Sequence, residues 1–498
     1  MGTSVETHRP SWVRTRWGIA VTTTVAAVML AVGLATWVGP QPMHLGFQTT
    51  GDAILAQSVR GALGLDGTDA STAGYRGIGV AELDDGQVRW AGLGNRGDGF
   101  APTDTTPFEI GSITKLFTGL MLADAVDRGE VRLGGSLDAY LPLLSGTPAG
   151  SVTLEELATH RSGLPAYADD VTGATYEGQG DSDVASISAD DVVAQSATLT
   201  LSGRGTYQYS NLGVSLLGYA LTKASGAPSW VSLVTERVLR PAHMGHTTFA
   251  ASASQVPPTA AVGRQVTGMR VPYSVGPGYF PAGTATFSTL EDLTAFARWI
   301  IDGRAIGLWA LEPRYDLSPV DKIGLVWMTT SSPAGTTQWH NGSVPGFNAI
   351  LRLDLQEGRA VAVMGNTDAS VEVVGTTLLD PGADLLALEP WAARGIILLA
   401  GIAIVGLVLI AARSGRPVVH GTVTVLALVG LVLAVRYAPW QVLPGGTWAA
   451  GACLVTWASL LGAERGRPST GRLAVGMGIG VVVAVIQYAM TVWLAGCP

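Results

Sequence analysis

Five apolar stretches set what this 498-residue chain can become, because they leave only its middle free to fold in water. Gly18 to Val38 carries no charged residue and is long enough to cross a bilayer, with Arg9, Arg14 and Arg16 before it. Four more runs close the chain, near Ala392 to Ala412, Val418 to Val435, Trp448 to Gly462 and Leu473 to Leu494. Arg413 and Arg416 lie in one short connection and Arg465, Arg467 and Arg472 in another, while Tyr437 to Gly446 has no basic residue. With the arginine-bearing connections and residues 1 to 17 in the cytoplasm, one five-span topology results, and residues 40 to 390 fall outside. The first run reads as a signal anchor ending at Trp37, with a cleaved signal peptide as the alternative; both export the domain beyond it. Residues 391 to 498 then form a membrane domain of about four helices, and the bilayer is a partner. Gly476 and Gly480 offer a G-x-x-x-G contact between helices.

Composition narrows the function classes. The chain is 47% hydrophobic and 14% charged with a net charge of -8, which argues against nucleic acid, since phosphate binding needs basic patches. Cys453 and Cys497 both lie in the last apolar region and leave the redox compartment unread. Almost no ionisable residue falls within the apolar runs, which disfavours a transporter.

Between the apolar parts, Ala53 to Leu63 reads as a helix. Gly77 to Leu83 and Gln87 to Leu93 read as a hairpin about Asp84, Asp85 and Gly86. Thr337 to His340, Asn348 to Leu355 and Arg359 to Met364 look like three more strands, the last two joined at Glu357 and Gly358. Strands at both ends with helices between predict an α+β domain: one antiparallel sheet built from the two termini, with a helical insertion. Within it, Leu154 to His160 reads as a short helix. Pro165 to Thr200 holds Asp169, Asp170, Glu177, Asp181, Asp183, Asp190 and Asp191 and no basic residue, an acidic surface.

Chemistry concentrates at Phe108 to Lys115, F-E-I-G-S-I-T-K, which leads into the apolar run Leu116 to Val126. With Thr106 to Gly111 a turn and a helix beginning near Ser112, Ser112 and Lys115 stand one helical turn apart on one face. Serine becomes a nucleophile when a neighbouring base takes its proton, and a lysine serves once burial lowers its pKa. Of 30 basic residues only Lys115, Lys223 and Lys322 are lysines, so a lysine kept beside a serine is informative. Gly203 to Asn211, G-R-G-T-Y-Q-Y-S-N, opens a helix Leu212 to Leu221. Tyr209 and Asn211 fall at its start, where backbone N–H groups favour phenolate character and Ser210 or Asn211 can cap. His160 reads as a structural turn residue, and His243 with His246 have a spacing poor for a metal.

Ser112 with Lys115, Tyr209 with Asn211, and His340-Asn341-Gly342-Ser343 leading to Pro345-Gly346-Phe347 resemble, in that order, the penicillin-recognising serine hydrolases. The likeness is to the family of class C β-lactamases and D-alanyl-D-alanine carboxypeptidases, over roughly Ala53 to Asp368. Thr153 to Pro165 and Pro281 to Phe296 support it. The resemblance implies a β-lactamase-like α+β fold and an acyl-enzyme on Ser112, with Lys115 and Tyr209 sharing proton transfer. It implies further that Asn211 orients Lys115 and the substrate amide, and that the Ser112 and Ser343 amides make an oxyanion hole. His340, Gly342 and Ser343 would bind substrate, a small acyl, peptide or β-lactam compound, with no metal and no cofactor. His340 stands where the family's β-lactamases usually carry lysine, which points to a peptidase or esterase and weakens the hold on a substrate carboxylate. No E-x-x-L-N loop is present, so deacylation falls to Tyr209. A sensor or scaffold that signals through the membrane helices is the competing reading, and the sequence names no protein partner.

Overall fold

The computed structural model describes residues 44–64, 74–168, 187–266, 268 and 270–380. The five apolar runs, Gly476 and Gly480, both cysteines, and Asp169, Asp170, Glu177, Asp181 and Asp183 lie outside those residues. Among the described residues, no helix is long and apolar enough to cross a membrane.

Twelve strands are described, numbered in chain order: β1 Thr49–Gly51, β2 Gly77–Asp84, β3 Gln87–Gly94, β4 Phe108–Glu109, β5 Thr248–Phe249, β6 Thr286–Ser288, β7 Tyr315–Asp316, β8 Asp321–Ile323, β9 Met328–Ser332, β10 Gly335–Val344, β11 Phe347–Asp354 and β12 Arg359–Gly365. Nine form one antiparallel sheet in the order β1-β3-β2-β12-β11-β10-β9-β8-β7. The first strands of the domain thus pair with its last ones, as β2 on β12, and everything from residue 95 to residue 314 is inserted between them. Hairpin chemistry explains the register. Asp85 and Gly86, both at positive φ, turn β2 into β3, and Pro345-Gly346, with Gly346 at φ 80°, turns β10 into β11.

Side chains alternate across the central strands. On β2 and β12, Ile78, Val80, Val361 and Val363 face a small core shared with the helices Ala53–Ala62 and Glu372–Leu379. Ala81, Leu83, Ala360, Ala362 and Met364 face the larger core beneath the insertion. A sheet covered on both faces buries its middle strand throughout: all eight residues of β11 are buried, and the polar ones have partners, Asn348 accepting from Val371 N, Arg352 donating to Thr337 Oγ1 and Asp354 accepting from Gln356 N.

The insertion packs around the helix Lys115–Asp127, where eleven residues from Lys115 to Ala125 are buried. A helix with no polar face sits at the centre of a domain. Gly119 lets it pack closely: a Cβ there would strike Leu325 O and lie 2.6 Å from Val326 Cγ2. The sheet and the insertion are tied by Asn366, fully buried. Its side chain accepts from Gly77 N at 2.8 Å and donates to Asn95 O and Val262 O at 3.2 and 3.0 Å.

Two expectations are corrected. The turn expected at Thr106 to Gly111 contains β4, because Phe108 and Glu109 are buried against β6 in a separate three-stranded sheet, β4-β6-β5. A single sheet is therefore too simple. The helix expected to begin near Ser112 begins at Lys115, after a 3-10 turn Gly111–Thr114. Asp190 and Asp191 are exposed, as an acidic surface requires, at the start of the helix Ala189–Ser196, where Ser188 and Asp191 make a reciprocal capping box.

Candidate active site

The 3-10 turn fixes the first pair. Ser112 and Lys115 are three residues apart on a tight helix, and Nζ of Lys115 lies 2.7 Å from Ser112 Oγ. Lys115 is fully buried. Its amine meets two further oxygens, Asn211 Oδ1 at 2.7 Å and the carbonyl of Ala282 at 2.6 Å. Ala282 comes from the Pro281 to Phe296 stretch, held against the central helix by Thr118, whose hydroxyl donates to Pro281 O at 2.9 Å.

Tyr209 and Asn211 arrive on a capped helix. Ser210 is the N-cap of Asn211–Ser225: its hydroxyl accepts from Gly213 N at 2.8 Å and donates to Pro165 O at 2.6 Å. Tyr209, one residue earlier, is still extended chain, and its hydroxyl donates to Ser112 Oγ at 2.6 Å. Lys115 Nζ also lies 4.9 Å from the centre of the Tyr209 ring. The other end of the Asn211 amide donates to Tyr167 Oη at 2.8 Å. Both ends of that amide are therefore engaged within the protein.

The third segment approaches backbone to backbone. Strand β9 pairs with β10 only as far as Trp339, so from His340 onward that edge of β10 is left open and meets the Gly111–Thr114 turn. Glycines make the approach possible. A Cβ on Gly342 would collide with Ile110 O and stand 3.3 Å from Ser112 N; one on Gly111, at φ 52°, would stand 3.1 Å from Ser343 N. Gly283, at φ 106°, lies so close that a Cβ would strike Gly111 O. The amides of Ser112 and Ser343 thus come to the same small region. A cavity of about 20 Å³, room for one water, adjoins it, lined in part by Ser112, Asn211, Tyr167, Thr284 and Ser343.

Burial sets the charge states. Lys115 is pushed well below its ordinary value by removal from water. The Tyr209 phenol is raised by the same cause and only partly lowered by its bond to Ser112, so the phenolate expected from the helix start is disfavoured at rest. Tyr209 keeps 37% of its surface, and solvent there screens part of the penalty. His340 is 3% exposed and lowered to about 3, by burial first and by Lys115 second. Its Nδ1 is 2.6 Å from Asn341 O; the neutral ring therefore carries its proton there.

Sequence reasoning places Ser112, Lys115, Tyr209, Asn211, Gly342 and Ser343 in one cleft, and the structure brings them together with His340, whose ring centre is 6.4 Å from that of Tyr209. Tyr167, Ala282, Gly283 and Thr284 are additions that the sequence does not single out. His160, expected to be structural, packs against Tyr209 at 4.5 Å between ring centres. A pH signature arises from His340. Unfolded, its ring protonates near pH 6.5; folded, only near 3, so its contribution is complete above 6.5 and is lost as pH falls toward 3. On going from pH 7 to pH 5, urea unfolding should show the parent losing about 2 kcal/mol more than His340→Asn. Equal losses in the two proteins would mean that the ring is not held neutral.

The chain and its fold are similar to known proteins. A family model described as beta-lactamase matches residues 52–380. The D-alanyl-D-alanine-carboxypeptidase/endopeptidase AmpH of Escherichia coli K12 is 30% identical over 197 residues, 36% of this chain and 47% of that protein. A beta-lactamase of the same organism is 29% identical over 256 residues, 48% of this chain and 62% of that one. The chain thus spans about half the length of the curated relatives it matches. Among solved structures, a class C beta-lactamase aligns with a TM-score of 0.57 at 19% identity, covering 67% of this chain and 98% of that one. One from Rhodobacter sphaeroides gives 0.54, also at 19% identity, covering 66% and 98%. On the family match over most of its described length, the chain belongs to the β-lactamase family of serine hydrolases.

Proposed function

We propose that the protein hydrolyses an amide or ester through an acyl-enzyme on Ser112, with Lys115 as base and Tyr209 as proton donor. The observation that carries this is a hydrogen count. A neutral Lys115 has two N–H bonds and one lone pair, and three oxygens surround it. Asn211 Oδ1 and Ala282 O can only accept there, so the lone pair is left for the Ser112 hydroxyl. Tyr209 then donates to Ser112 Oγ, and every hydrogen has an acceptor. A charged lysine would donate to all three oxygens and leave the serine proton with no acceptor among these contacts. Burial favours the same neutral state.

The protons then close a cycle. Ser112 Oγ attacks the acyl carbon as its proton passes to Lys115; Tyr209 gives its own proton to the leaving nitrogen or oxygen. That leaves an ammonium beside a phenolate, so phenolate character belongs to the acylated enzyme. The phenolate takes a proton from the attacking water, Lys115 returns its proton to Ser112, and the acid product leaves. The amides of Ser112 and Ser343 would hold the developing oxyanion, each worth about 3 kcal/mol. Asn211 would orient Lys115; with its amide nitrogen on Tyr167, contact to a substrate amide would need that bond to open.

A neutral His340 supports a preference for acyl groups without a nearby carboxylate, hence for esters, peptides or amides over efficient β-lactam turnover. AmpH is by its name an endopeptidase as well as a D-alanyl-D-alanine carboxypeptidase, and a D-amino-acid peptide cut away from its terminal carboxylate is one such substrate. The alternative, a penicillin sensor or scaffold that acylates without turnover, rests on the apolar runs C-terminal to the domain.

Ser112→Ala should lose labelling by a fluorophosphonate or a fluorescent penicillin while unfolding at the parent's temperature within a few degrees; labelling at the parent's level would remove Ser112 as nucleophile. The apolar runs support a multi-pass protein with this domain outside a bacterial cell membrane. The full chain should therefore stay in the membrane pellet after an alkaline carbonate wash, with the domain open to protease on intact spheroplasts. Release into the wash, or protection of the domain, would overturn that placement.

A further inference from the structure

We propose that His160 is the residue that positions Tyr209, holding the chain on both sides of it and its ring from behind; this rests on the role of Tyr209 as proton donor. Three contacts carry it. The carbonyl of His160 accepts from Gln208 N at 2.7 Å, and its ring Nδ1 accepts from Ser210 N at 3.2 Å. One histidine therefore takes the backbone N–H groups of the residues immediately before and after Tyr209. The ring then lies along Tyr209, with centres 4.5 Å apart and planes 38° apart, while Tyr207 packs edge-on against it at 5.9 Å.

The backbone of His160 is shaped for this. Its φ is 54°, in the left-handed region that a residue other than glycine rarely adopts. At 1% exposure its Nε2 is buried with no hydrogen-bond partner. A ring needed only to fill space would be cheaper as phenylalanine, since it would bury no unpaired nitrogen. What phenylalanine lacks is the acceptor at Nδ1. Because that nitrogen accepts a backbone N–H, its lone pair is free of a proton and the ring is the neutral Nε2–H tautomer. Burial first, then Lys115 and His340, act against a second proton. The carbonyl fixes the Gln208 side of Tyr209, the ring nitrogen fixes the helix-cap side, and the hydroxyl is left 2.6 Å from Ser112 Oγ.

The test separates acylation from deacylation with p-nitrophenyl butyrate. Its leaving group departs without a proton, so the burst reports Ser112 with Lys115; Tyr209 then loses its proton to solvent beside the Lys115 ammonium, and the subsequent steady state reports the water step that its phenolate serves. His160→Phe keeps the ring and removes the acceptor; His160→Asn keeps an acceptor and tolerates the left-handed backbone. The steady-state rate should fall tenfold or more in His160→Phe, with the burst rate within threefold of the parent, and His160→Asn should recover most of the loss. In a Tyr209→Phe background, His160→Phe should cost nothing further. A burst and a steady state that fall together, a fully active His160→Phe, or equal fold-losses with and without Tyr209 would each overturn the positioning role. If Tyr209→Phe alone leaves the steady state unchanged, the reading of Tyr209 as the proton-transfer residue of the water step fails instead, and the two failures are told apart. Should His160→Phe not fold, His160→Asn in the two backgrounds decides: a loss that persists without Tyr209 overturns the proposal.

Discussion

Taking one amine out of water is the constraint on which the site depends. Lys115 is on the central helix, with no polar face around it, and a charged ammonium in such a place is expensive. The protein meets this by surrounding the nitrogen with three oxygens, one from Ser112 on the adjoining turn and two from distant segments, Asn211 on a second helix and Ala282 on a turn. Burial lowers the amine's pKa, and the three oxygens fix how those segments meet. Removing the acceptor of Asn211 or Ala282 would leave a buried N–H bond unmade.

Close backbone approach is the second requirement. Gly111, Gly283 and Gly342 let the nucleophile turn, the Ala282 turn and the open edge of β10 come within contact of one another. The end of β9 pairing at Trp339 frees that edge. The same sheet therefore supplies rigidity on one side and unpaired amides on the other, which suits an oxyanion site: fixed donors cost nothing to reorganise.

How much of this the sequence carries depends on whether a residue acts through its own side chain within a short spacing. Ser112 with Lys115 and Tyr209 with Asn211 are legible because each pair lies within one turn, and β2, β3, β11 and β12 because their alternation is clean. Ala282 contributes only a carbonyl and Tyr167 only a hydroxyl placed by tertiary structure, so neither leaves a mark in the sequence. Strands β4 and β7 are two residues long, and β9 is mostly Thr and Ser, too polar for an apolar alternation to show. His160 reads as structural because its acceptor role depends on a left-handed backbone, which sequence does not display.

The scarcity of lysine makes the central claim directly measurable. With only Lys115, Lys223 and Lys322 in the chain, selectively labelled lysine side chains give three resolvable signals in a heteronuclear magnetic resonance titration. The signal that disappears in Lys115→Met should report an uncharged amine at pH 8, where an ordinary lysine is still an ammonium. A Lys115 signal that stays in its ammonium form up to pH 9 would contradict the account, because the serine proton would then have no base to receive it.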